Sequence, residues 1–90
     1  MYEIIFSKKY KKIAKKFFRK HQNLKEKYTK TILLLQKNPF HPSLRLHKLQ
    51  GSLSEYHSFS IDMDYRIFID FIIIDEQIIL IDIGSHNEIY

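Results

Sequence analysis

Residues 65–90, YRIFIDFIIIDEQIILIDIGSHNEIY, carry the reading from which the rest of the fold follows. Ile67–Ile74 and Ile78–Ile83 are dense in Ile and Phe, side chains that suit a pleated surface. Between them Asp75-Glu76-Gln77 is polar and short, the mark of a hairpin turn. Side chains alternate along a strand, so Ile67, Ile69, Phe71 and Ile73 share one face. Arg66, Phe68, Asp70, Ile72 and Ile74 share the other. In the second strand Ile79, Ile81 and Ile83 form the all-aliphatic face. A three-residue loop at 75–77 keeps like faces together, because a one-residue slip would turn every side chain over. It pairs Ile74 with Ile78, Ile72 with Leu80 and Asp70 with Asp82, and carried outward it sets Arg66 opposite His86.

The stretch before Tyr65 obeys the same test. His57, Phe59 and Ile61 alternate with Tyr56, Ser58 and Ser60, and a tight loop at Asp62-Met63-Asp64 pairs Phe59 with Ile67 and Ser60 with Arg66. Ser60, Arg66 and His86 are therefore expected in one row, away from the core. Further upstream, Tyr2–Phe6 reads as a strand and Ser7 as a helix N-cap. Tyr10, Ile13, Ala14, Phe17, Phe18 and His21 recur at helical spacing. Gln22-Asn23 breaks that pattern and caps a second helix, whose stripe is Leu24, Tyr28, Ile32 and Leu35, widened by Leu33 and Leu34. Asn38-Pro39 ends it, since a residue before proline resists the α region. Phe40–Ser43 is a rigid connector, Leu44–Leu49 starts extended, and Gly51 allows a turn into the next strand. The order is β-α-α-β-β-β, a two-layer α+β fold in a single domain, 1–90. Two N-terminal helices should cover the Phe59/Ile61/Ile67/Ile69/Phe71/Ile79/Ile81 face of a mainly antiparallel sheet. The other face, with Ser58, Ser60, Arg66, Phe68, Asp70 and Asp82, is expected to stay open as a concave ligand surface.

Charge is sharply segregated. Residues 1–50 carry 14 Lys/Arg against Glu3 and Glu26, while residues 51–90 carry Arg66 against eight acids, so the two parts stand at +12 and −7. Lys8, Lys9, Lys11, Lys12, Lys15, Lys16, Arg19 and Lys20 occupy the side of the first helix away from its apolar stripe. That density favours a polyanionic partner over a merely solvated face. A membrane surface is the weakest of the three readings, because the apolar side is needed to cover the sheet. The absence of Cys excludes disulfide and thiolate chemistry and suits the cytoplasm. No apolar run is long enough to span a bilayer, and the N-terminus shows no secretory signal.

No phosphate-loop, dinucleotide, EF-hand or zinc-finger pattern is present. The five His residues lack metal-ligand spacing, so no metal and no cofactor are expected. His21 and His57 lie on core-facing stripes and His41 sits between two prolines, which leaves His47 and His86. With Arg66, these are the parts of a metal-free ribonuclease. The neighbouring 2′-OH attacks the phosphate, a base takes its proton, a cation stabilises the phosphorane and an acid protonates the leaving 5′-oxygen. His, with a reference pKa of about 6.5, serves either proton role; Arg offers a planar fork to phosphate oxygens. The residues alone equally allow Arg66 to pair with Asp64 or Asp82, with both His residues in surface loops.

Three motifs break that tie by resemblance. His47-Lys48-Leu49-Gln50-Gly51-Ser52, Asp64-Tyr65 at the entry to the long strand, and Gly84-Ser85-His86-Asn87-Glu88-Ile89-Tyr90 stand in order along the chain. Together with the β-α-α-β-β-β order and the lysine-rich first helix, they resemble the RelE/ParE superfamily of toxins, most closely its YafQ-like mRNA-cleaving branch. The resemblance spans essentially the whole chain. It implies a type II toxin that cleaves mRNA on the ribosome in the cytoplasm and is neutralised by a cognate small antitoxin. It further implies acid/base roles for His47 and His86, an orienting or base-contacting role for Asp64, and contact or stacking on the message by Tyr90. Arg66 matches the phosphate-binding arginine of the RelE branch. Ser60 stands where YafQ-like proteins have a third His, and Tyr65 replaces a typical Trp; both positions, with the first-helix cations, fall at the implied RNA- and ribosome-binding surface. The same fold also admits a ParE-like protein that binds DNA gyrase without nuclease residues, or an inactive domain that only binds antitoxin.

Overall fold

Ser7 joins the two layers at the point where strand becomes helix. Its Oγ accepts from the Tyr10 amide at 3.1 Å, capping the first helix, and donates to the Leu80 carbonyl at 3.4 Å. In the computed structural model, which describes residues 1–51, 56–72 and 75–85, β1 (Glu3–Phe6) leads into α1 (Lys8–Lys20) and α2 (Lys25–Lys37). β2 (His47–Lys48), β3 (His57–Ser60), β4 (Tyr65–Ile72) and β5 (Gln77–Ser85) follow. The five strands form one sheet in the order β1-β5-β4-β3-β2. β1 runs parallel to β5 and the other neighbours are antiparallel, so two helices pack on a mixed five-stranded sheet. No helix among the described residues is long and apolar enough to cross a membrane.

The helical stripes are where the spacing puts them. Tyr10 and Phe17 of α1 and Leu35 of α2 are buried with Phe59, Ile67, Ile69, Ile78 and Leu80 of the sheet, each such side chain contributing about 1.5–3 kcal/mol on burial. Leu33 departs from the expected stripe at 53% exposed. The second helix also starts differently. Gln22–Leu24 is a 3₁₀ turn and Leu24 occupies the N-cap without a side-chain hydrogen bond, because burial of Leu24 outweighs the capping chemistry of Gln22-Asn23. Asn38 ends α2 in extended geometry, as Pro39 demands. Arg45, after a second 3₁₀ turn at Pro42–Leu44, is left-handed with φ 51°.

The β3–β4 register is the expected one, with Phe59 opposite Ile67 and Ser60 opposite Arg66. The β4–β5 register is not. Ile72 pairs with Gln77, Asp70 with Ile79 and Ile69 with Leu80; after a bulge, Phe68 pairs with Asp82, Ile67 with Ile83 and Arg66 with Gly84. Two physical causes act. Gln77 is drawn into the ladder by β1, which it meets at Glu3, its Nε2 donating to Glu3 Oε1 at 3.1 Å. The turn is then left at Asp75-Glu76, with Glu76 at φ 51°. An unbroken ladder from that end would set Asp82 against buried Ile67. Inserting one residue brings Ile83 there instead, apolar on apolar. In consequence Ile78, Leu80 and Ile83 form the core edge of β5, while Ile79 and Ile81, expected in the core, are half-buried. The face away from the helices is also less open than expected: Ser58, Ser60 and Phe68 are buried and Arg66 and Asp70 half-buried.

Candidate active site

His47 and Ser58 meet across the β2–β3 ladder. His47 Nδ1 lies 3.0 Å from the Arg45 carbonyl oxygen, which can only accept, so the neutral ring carries its proton on Nδ1. Nε2 is thereby left with a lone pair, and it faces the Ser58 hydroxyl at 3.4 Å. The left-handed turn at Arg45 places that carbonyl two residues before the ring it orients. An exposed His47 held as this tautomer has the form of a general base.

Arg66 is on the same face as Ser58 and Ser60, two strands in from His47 and one residue pair along. Standard strand spacing puts their α-carbons on the order of 12 Å apart, a gap that an Arg and a His can close around one phosphodiester. Arg66 Nη1 is buried and has no hydrogen-bond partner among the described residues. A buried guanidinium nitrogen left without an acceptor is costly until an anion supplies one. The alternative of an ion pair between Arg66 and Asp64 or Asp82 is not met: among the described residues the one ion pair is Lys30–Glu26.

The other expected positions divide. Ser60 is opposite Arg66, as the sequence suggests, and is buried at 7% exposure. Asp64 is exposed in the β3–β4 loop, which Asp62 organises by accepting from the Asp64 and Tyr65 amides at 2.9 and 3.0 Å. Tyr65 turns to the helix side, its ring 5.4 Å from Phe17 and 4.7 Å from His21. Gly84, not His86, completes the Ser60–Arg66 row; the shifted turn and the bulge displace the expected partner by two residues. His86 and Tyr90 lie outside the described residues. The first-helix cations are all exposed, and no cluster of metal ligands occurs among the described residues.

This fold is shared. The toxin YafQ of E. coli superposes with a TM-score of 0.79 at 20% identity, covering 100% of this chain and 99% of that one. A metal-bound toxin from Helicobacter pylori gives 0.78 at 24%, with both chains fully covered. YafQ in the E. coli DinJ-YafQ toxin-antitoxin complex gives 0.70 at 24%, over 99% of this chain and 97% of that one. No curated protein matches. The profile of the bacterial toxin of type II toxin-antitoxin systems, YafQ, matches residues 2–90. The chain belongs to the YafQ toxin family. As a YafQ-family toxin, it places its own residues around His47 in a way that sequence spacing does not suggest. Spacing singles out neither Ser58 nor Arg45 as a partner of His47, because their part depends on the β2–β3 pairing and on one left-handed residue. His57, next along β3, is held below the usual histidine range by burial and then by Lys48 and His47. Its neutral form is favoured accordingly.

Proposed function

We propose that this YafQ-family toxin is an endoribonuclease that cleaves mRNA on the ribosome through 2′-OH attack. The observation that carries the reading is that one sheet face holds both a tautomer-fixed His47 and the buried Nη1 of Arg66, which lacks a partner among the described residues. His47 Nε2 takes the 2′-OH proton; the 2′-oxygen bonds to phosphorus as Arg66 binds the non-bridging oxygens. The P–O5′ bond then breaks, an acid supplies the proton to the 5′-oxygen, and a 2′,3′-cyclic phosphate and a 5′-OH remain. With His47 as the base, His86, to which the resemblance gives an acid/base role, is left as that acid. Asp64 and Tyr90 belong to message positioning on the same ground. A co-encoded antitoxin holds the activity in check, and the cytoplasm, where ribosomes and message are, is the place of action. The purified chain added to translating ribosomes with a defined mRNA should produce new 5′ ends within the message. Uncut message under these conditions overturns the reading.

The basic helix supplies the ribosome contact. Lys8, Lys9, Lys11, Lys12, Lys15, Lys16 and Arg19 are all exposed, and none makes an ion pair among the described residues. Reversing three or four of these charges should weaken ribosome binding across all messages. It should also flatten the dependence on salt, by about one unit of log-log slope for each phosphate that is no longer neutralised. Stability should change little at such exposed positions. Sedimentation with ribosomes over a salt series measures both affinity and slope, and an unchanged slope refutes the role.

A further inference from the structure

Arg45 holds a backbone conformation that its residue type does not favour. Among the described residues, two non-glycine positions have positive φ, Arg45 and Glu76. Glu76 is in the tight turn before β5, where left-handed residues belong. Arg45 is in no hairpin. It follows the 3₁₀ turn Pro42–Leu44 at φ 51° and ψ 42°, its amide donating to the Pro42 carbonyl at 3.1 Å. Glycine or asparagine is the usual residue at such a helix end, because a Cβ crowds the carbonyl oxygen there. The turn that Arg45 ends is fixed on both sides. At its start His41 Nδ1 accepts from the Ser43 amide at 3.2 Å, and at its end Leu44, 2% exposed, is anchored in the core. The Arg45 side chain is exposed and makes no ion pair among the described residues, so it supplies no reason for the conformation.

The carbonyl supplies one. In a regular strand the carbonyls lie in the plane of the sheet and the side chains stand out of it, so a ring does not meet the carbonyl two residues back. Here it does, at 3.0 Å, because the left-handed residue turns the Arg45–Leu46 peptide out of the ladder direction just ahead of β2. We infer that Arg45 is a positioning residue for His47. Its left-handed backbone aims the carbonyl that holds the neutral imidazole as the Nδ1–H tautomer, with Nε2 turned toward Ser58 on the Arg66 face. Free histidine favours the other tautomer, so this one has to be imposed by a partner. The Ser58 hydroxyl, the other candidate, stands off at 3.4 Å, which is long for an O–H···N contact. An L residue also adds something that glycine lacks. Its left-handed region is narrow, so the carbonyl is held in one direction. The inference rests on the nuclease reading above for the use made of His47, and on geometry alone for the tautomer.

Nitrogen NMR of the imidazole rings in the whole chain, with the rings neutral, reads the tautomer without ribosomes or message. His41 is the internal contrast, since a ring that accepts on Nδ1 carries its proton on Nε2. In the wild-type chain His47 should show a protonated Nδ1 and a bare Nε2. Arg45→Val, whose branched side chain resists left-handed backbone, should release the ring to a mixture of tautomers. It should also lower single-turnover cleavage by about tenfold or more with ribosome binding unchanged, because the wrong tautomer carries a proton on the nitrogen that must accept one. Arg45→Asn, which tolerates that backbone, should keep the tautomer and most of the rate. Arg45→Gly permits the conformation without enforcing it and should give an intermediate population, so it decides the point if Arg45→Val does not fold. Ser58→Ala should leave the tautomer as it is. Three results overturn the inference: an Nε2–H ring in the wild type, a tautomer untouched in Arg45→Val (or in Arg45→Gly where Arg45→Val does not fold), and a shift produced by Ser58→Ala instead. A chain that shows the Nδ1–H ring, loses it in Arg45→Val and cuts no message sinks the nuclease and leaves the positioning of His47 standing.

Discussion

Arg66→Ala should slow message cleavage by about a hundredfold or more, with the fold and antitoxin binding retained. The size follows from the role proposed for the residue: a preorganised cation at a developing phosphorane contributes mostly in the transition state, so its removal should fall on kcat. Arg66 is half-buried in the sheet with Nη1 lacking a partner among the described residues, so that nitrogen is already desolvated before substrate arrives. Arg66→Lys should restore only part of the rate, because an ammonium cannot reproduce the planar fork. Single-turnover cleavage on ribosomes, with thermal unfolding as the control for folding, measures all of this. Wild-type cleavage by a folded Arg66→Ala protein would remove Arg66 from the mechanism.

For His47→Ala the expected loss is about 10²–10⁴-fold, together with the limb of the pH profile on which the rate rises with pH. A base must be unprotonated to act, so that limb belongs to whichever group takes the 2′-OH proton. The Arg45 carbonyl fixes the proton of neutral His47 on Nδ1 and leaves Nε2 with a lone pair, as the proposed base requires. Rate against pH for the wild-type and His47→Ala chains distinguishes the roles. If the rising limb persists in His47→Ala at reduced amplitude, another residue is the base and His47 only positions the message.

How much of this was legible follows from particular residues. Ser7, the stripe Tyr10-Ile13-Ala14-Phe17 and the Asn38-Pro39 stop placed both helices, because capping, helical period and proline sterics act over a few residues. Phe59, Ser60, Ile67 and Arg66 found their partners across a tight loop, which leaves no room for slippage. These local facts, with the three motifs, also determined the fold class and the YafQ-family membership. The tertiary structure alone decided the rest. Whether β5 begins at Gln77 depends on β1, more than seventy residues earlier. Whether Asp82 or Ile83 meets Ile67 depends on a bulge that the alternation of Ile residues on β5 does not announce, since either face of that strand is aliphatic. That choice set Gly84, not His86, opposite Arg66 and set Asp82 opposite Phe68. The partner of His47 likewise came from a two-residue edge strand. Local sequence sets what a segment prefers; long-range pairing sets register, and in a sheet of period two a shift of one residue changes which side chains can meet.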